Sequence, residues 1–104
     1  MNIKADILIL GGGAAGFFAA VHAARLNPQL RVVVAEKSSK LLSKVLVSGG
    51  GRCNVTHECY DKGVLVGNYP RGGPGLRQIF GRWGPEETVA WFECMGVQLK
   101  TEAD

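Results

Sequence analysis

Gly11, Gly13 and Gly16 form a G-x-G-x-x-G string directly after the apolar run Ile7, Leu8, Ile9 and Leu10. In such a string the first glycine permits a tight turn and the second lets backbone approach a pyrophosphate. The third lets a helix lie close to a strand. Glu36 follows Gly16 by about 20 residues, the spacing at which an acid ending the next strand meets a ribose hydroxyl. The chemistry implied is the binding of a dinucleotide on the amino terminus of a helix. A second string, Ser48-Gly49-Gly50-Gly51-Arg52-Cys53-Asn54-Val55-Thr56, carries three glycines that can turn successive amides inward as an anion nest. Arg52 adds a fixed charge with five donors. Asn54 and Thr56 offer side-chain groups that can orient a polar ring system. A plain βαβ unit and a surface turn are the alternatives that bind nothing.

These residues need elements to hold them. The sequence predicts a first strand over about residues 5–10, apolar at nearly every position, as in a parallel strand buried on both faces. It predicts a helix over 14–26, whose Ala19, Ala20, Ala23 and Ala24 allow close approach to a sheet, stopped by Asn27 and Pro28. A second strand is expected over 31–36, again buried on both faces through Val32, Val33 and Val34. Residues 37–68 read as one long loop, a kind that is usually functional. Two short helices are expected beyond it, over 74–83 and 85–95. Leu76, Ile79, Phe80 and Trp83 share one helical face. Pro85 suits a first helical position, Glu86 and Glu87 complement the helix amino terminus, and Gly96 suits the cap.

With 104 residues and two expected parallel strands, the chain is short for a doubly wound domain and reads as the front of a larger protein. Lys and Arg exceed Asp and Glu by 12 to 9, with no block of like charge, so nucleic acid is not expected as a partner. Arg71, Arg77 and Arg82 read as solvated. Gly12 and Gly16 also satisfy G-x-x-x-G, but three adjacent glycines, Asp6, His22 and Arg25 make a poor spanning helix or export signal. No membrane association is expected. Three cysteines without a CxxC support neither a disulfide framework nor a zinc site, which makes a reducing cytoplasm the default. Cys94 reads as core. His22 reads as a helix-face residue, and His57 as the better of two weak acid/base candidates.

GGGAAG, the pair Glu36 and Lys37, SGGGRCNVT, NYPRGG and FGRWGPEETVAWFECMGVQLKTEAD together resemble one flavoprotein family across essentially the whole chain. It is the bacterial NAD(P)/FAD-dependent oxidoreductase family that includes the 3-dehydro-bile-acid reductase-like proteins and is also labelled aminoacetone oxidase-like. SGGGRCNVT is the more specific string, because any flavoprotein with two dinucleotide-binding domains shares the glycine fingerprint. The resemblance implies an α/β, Rossmann-like FAD-binding domain, incomplete here, in a chain several times longer. It implies FAD contacts at Gly11, Gly13, Ala14, Ala15 and Gly16 for the pyrophosphate, Glu36 and Lys37 for the adenosine end, and Gly51, Arg52, Cys53 and Asn54 toward the flavin. Family members carry a glycine and a basic residue before this string, as in GRKLLISGGGRCN. Here Leu42, Ser43 and Lys44 precede Val45, so Lys44 keeps the charge and joins the expected contacts while the glycine is lost.

Disulfide reductases of the two-dinucleotide fold also place a reactive cysteine after the second strand. The spacing of Cys53 and Cys59 is one residue wider than their pair, and a small half-buried cysteine beside the flavin loop is the preferred reading of Cys53. The function expected is an FAD-dependent oxidoreductase that uses NAD(P)H and a small organic substrate. A non-catalytic flavin- or nucleotide-binding module is the alternative. An NAD-dependent dehydrogenase without flavin leaves the SGGGRCN loop with no ligand.

Overall fold

The computed structural model describes residues 2–103, which divide into two compact units, one ending at Asn54 and the other starting at Val55. In the first unit, β1 (Ile7–Leu10), α1 (Ala14–Leu26) and β2 (Val32–Ala35) form a βαβ crossover. The strands pair in parallel, with Ile7 opposite Val32 and Leu10 opposite Ala35. Asp6 starts the pairing: its Oδ2 accepts from the Arg31 amide at 2.8 Å, and its own amide donates to the Arg31 carbonyl at 2.9 Å. Helix α1 ends where Asn27 donates its amide to Ala23 O at 3.1 Å, and Pro28 cannot continue the ladder.

The strands are not buried on both faces. Leu8 is 59% and Leu10 81% exposed, whereas Ile7, Ile9 and Val32 to Val34 are half-buried. Parallel strands read as continuous apolar runs because layers normally cover both faces. Here α1 packs on β1 and β2, and the face carrying Leu8 and Leu10 stays open.

Residues 37–68 are more structured than a loop. They hold α2 (Ser43–Val47), a 3-10 turn (Ser48–Gly51) and, in the second unit, α3 (Lys62–Val66). Helices this short fall below the window in which hydrophobic periodicity registers. Asp61 was the readable sign of α3, because its Oδ1 accepts from the Val64 amide at 3.0 Å as an N-cap.

The second unit adds α4 (Gly73–Arg82) and α5 (Pro85–Cys94), within a residue of expectation. Leu65 on α3, 1% exposed, is its buried centre. The Tyr69 and Phe80 rings lie 5.7 Å apart. Gly84 caps α5: Glu87 Oε1 accepts its amide at 3.2 Å and also receives Lys62 Nζ at 3.4 Å. Gly96, at φ 85, turns the chain out of α5, and the Val97 amide closes on Phe92 O at 2.9 Å. Cys94, expected in the core, is exposed, and so is Ile79 of the shared α4 face. The α4 stripe is therefore narrower than its periodicity, with Leu76, Phe80 and Trp83 half-buried. Among the described residues no helix is long and apolar enough to cross a membrane.

Candidate functional site

The three glycines of the first string have three different surroundings. Gly11 sits at φ +108, a conformation that residues with a Cβ rarely adopt. A Cβ on Gly13 would meet nothing within 4 Å and would stand in the space beside the turn. A Cβ on Gly16 would collide with the Gly11 carbonyl oxygen, so glycine is required where α1 crosses the end of β1. Tight turn, open approach and close packing are thus realised at the three positions where the spacing placed them.

Gly13 opens onto a cleft of about 350 Å³, within the range of small-molecule sites. Gly12, Gly13 and Ala14 form one wall at the start of α1, which has neither a side-chain cap nor an acid in its first turn. Glu36 and Ser38 come from the end of β2 and its loop, while Lys40, Ser43, Lys44 and Val45 close the far side. Free helical amides and two lysines give this cleft the character of an anion site. Glu36 also borders a second depression of about 450 Å³, lined by Leu10, Gly11, Ala35 and Lys37.

The Glu36 carboxylate braces the cleft from within. Its Oε1 accepts from the Gly12 amide at 2.9 Å and its Oε2 from the Ser38 amide at 2.7 Å. The Gly12 amide first, then the Ser38 amide and hydroxyl, hold the carboxyl down to about 2 from an ordinary 4.5, against a smaller opposing effect of desolvation. Glu36 is therefore an anion throughout the neutral range. A carboxylate has about four lone-pair sites, so these donors leave acceptor capacity for a hydroxyl group of a ligand.

The expected contacts fall into groups. Gly13, Ala14, Glu36 and Lys44 share the cleft, and Gly11, Lys37 and Glu36 share the neighbouring depression. Ala15 is exposed in the first turn of α1, and Gly16 lies beneath it against Gly11. Residues 51–54 form a separate exposed turn that lines neither. There Gly49, Gly50 and Gly51 have φ of 57, 66 and 93. The Arg52 and Cys53 amides close the turn on Gly49 O and Ser48 O at 3.3 and 2.9 Å, so these two amides serve the loop itself. Cys53 is an exposed free thiol at φ 57, not a half-buried one, and Cys59 and Cys94 are free as well. His22 is half-buried against Phe18, with ring centroids 4.7 Å apart, and His57 is exposed. Arg71, Arg77 and Arg82 are exposed, as expected.

The sequence reading missed Gly12, Ser38, Lys40, Leu42 and Ser43. Gly12 is buried, and a Cβ there would lie 2.7 Å from Leu41 Cδ2 and 3.2 Å from Glu36 Cβ. Leu42 stands in the left-handed region at φ 55, ψ 31, a path that glycine takes without cost. The serine directly beyond the Glu36 and Lys37 pair was the available hint of a carboxylate-capped turn.

A parallel βαβ crossover, a glycine turn fitted at each of its three positions and an acid braced at the end of the second strand define a Rossmann-type nucleotide-binding segment. The chain belongs to the family described as the HI0933-like protein Rossmann domain, whose model matches residues 5–104. It is similar to the 3-dehydro-bile acid delta(4,6)-reductase of Clostridium scindens, 34% identical over 93 residues that cover 89% of this chain and 22% of that protein. It is 31% identical to the ribosomal RNA dihydrouridine synthase of Escherichia coli over 93 residues, 85% of this chain and 23% of that one. It is 42% identical to the fumarate reductase flavoprotein subunit of Proteus vulgaris over 62 residues, 58% of this chain and 10% of the subunit. The chain thus spans less than a quarter of the length of each of these relatives.

Proposed function

We propose that residues 1–104 form the first part of the FAD site of a longer cytoplasmic oxidoreductase that uses NAD(P)H and a small organic substrate. The observation that carries this reading is the bracing of Glu36 beside the open face of Gly13. The residues fit the group: Gly13 leaves room where a Cβ would stand, and the α1 amides with Lys40 and Lys44 suit a pyrophosphate. Glu36, with acceptor sites to spare, suits the adenosine ribose and would repel a 2′-phosphate. Lys37 borders the depression on the other side of Glu36. The bound isoalloxazine would supply the hydride chemistry, while the chain binds, orients and excludes water. Residues 51–54, with Arg52 and Asn54 exposed, are the groups we assign to the flavin end.

Relatives named for a bile-acid derivative and for ribosomal RNA match 89% and 85% of this chain. What they share in this segment is then the nucleotide site, and the substrate is chosen elsewhere. The likeness to the ribosomal RNA enzyme supports a second reading, in which the substrate is an RNA base. The test is the visible spectrum of the purified full-length protein. A flavin spectrum bleached by NADH or NADPH without oxygen is expected. A colourless protein that takes up no FAD overturns the reading, and a flavin that neither NADH nor NADPH bleaches favours a non-catalytic module.

A further inference from the structure

Leu42 is bonded on both sides of its left-handed backbone. Its amide donates to Gly12 O at 2.8 Å, and its carbonyl accepts the Leu46 amide at 3.1 Å in the first turn of α2. The Gly12 amide in turn donates to Glu36 Oε1 at 2.9 Å, so Gly12 is held at its N–H by β2 and at its carbonyl by the start of α2. The next residue, Gly13, faces the cleft, and Lys44 lines its opposite side. No side chain caps α2, which leaves the φ 55 backbone of Leu42 to set the direction in which Lys44 leaves the turn. A residue with a Cβ persists in such a conformation only where its surroundings over-determine it, and such sites gather at ligand clamps.

We propose that Leu42 is a positioning residue whose left-handed backbone, rather than its side chain, ties the helix carrying Lys44 to the glycine turn of the cleft. The inference rests on the FAD reading for its affinity readout only.

Three substitutions in the full-length protein separate backbone from side chain. Leu42→Gly adopts the conformation freely, Leu42→Ala keeps a Cβ, and Leu42→Val keeps apolar bulk but is β-branched and disfavoured at positive φ. The proposal expects FAD affinity in the order Gly, Ala, Val, with Gly near the parent and Val weakened roughly tenfold or more. The reverse order, with Val near the parent and Gly weakest, overturns it; if the Val protein fails to fold, the order of Gly and Ala decides. Amide hydrogen exchange on flavin-stripped protein gives a second readout. Peptides covering residues 11–13 and 42–47 should lose protection together in Leu42→Val and keep it in Leu42→Gly, and loss in only one of the two overturns the coupling. A parent protein that binds no FAD yet shows coupled exchange would remove the FAD reading and leave the positioning role standing.

Discussion

The Gly12 amide donates to Glu36 Oε1 at 2.9 Å across 24 residues of sequence, joining the turn after β1 to the end of β2. The same carboxylate receives the Ser38 amide through its other oxygen, so one side chain organises both loops that border the cleft. An acid at this position thus has a structural duty before any ribose arrives.

That duty makes the cleft acid-sensitive in a stated direction. The Glu36 carboxyl is lowered to about 2 from 4.5, so its stabilisation is fully present above 4.5 and is lost as pH falls through the folded value. Flavin retention by the full-length protein should decline between those limits. Glu36→Gln keeps one acceptor oxygen but faces the second amide with a donor, so it should retain FAD less well at neutral pH and show no further loss on mild acidification. An identical acid profile in the Gln protein would contradict the assignment.

Gly13 and Gly16 should separate binding from folding. Gly13→Val adds a side chain in open space at an extended backbone position, so the cost to folding should stay near 1 kcal/mol while FAD affinity falls tenfold or more. Gly16→Ala drives a Cβ into the Gly11 carbonyl oxygen and should destabilise by roughly 1–3 kcal/mol. Urea denaturation paired with flavin titration distinguishes the two. A Gly13→Val protein with normal flavin content would remove the pyrophosphate from this turn.

The βαβ frame was legible because its signals are local and repeated. Apolar runs, an alanine-rich helix and the spacing from Gly16 to Glu36 all point to one arrangement, and the pairing of Ile7 with Val32 follows. Leu42 was not legible, because its role depends on a carbonyl brought near by the fold, and Ser38 was marked only by its place directly after Glu36 and Lys37. The exposure of Ile79 and Cys94 was hidden for a different reason. Helical spacing shows which residues share a face but not whether anything covers it.

In the second unit, the Trp83 indole N–H donates to Thr88 Oγ1 at 2.9 Å, and the Thr88 hydroxyl donates to Gly84 O at 3.0 Å. Thr88→Val keeps the shape and removes both bonds at the start of α5. The expected loss is roughly 1–2 kcal/mol, with a shift in tryptophan emission as the indole changes its partner. A change below about 0.5 kcal/mol, the range of neutral surface substitutions, would show that the bonds carry no net stability.

Residues 1–104 alone should bind FAD weakly. The sheet has two strands, and a two-stranded pair is marginal in water without further strands or a covering layer. Leu8 and Leu10 lie open on the face away from α1, and among the described residues Leu65 is the one fully buried large side chain. Small domains bury proportionally less surface and are correspondingly marginal. The glycine turn, Glu36 and Lys44 are all present, so the segment holds the contacts proposed for the pyrophosphate and ribose. Residues 51–54, proposed for the flavin end, form an exposed turn that lines neither depression. Expressed by itself, the segment should associate with other copies or unfold without a cooperative transition, and fluorescence quenching should report FAD binding far weaker than in the full-length protein. A monomeric segment that unfolds cooperatively and binds one FAD tightly would establish an independent binding module and overturn the view that the site needs the rest of the chain.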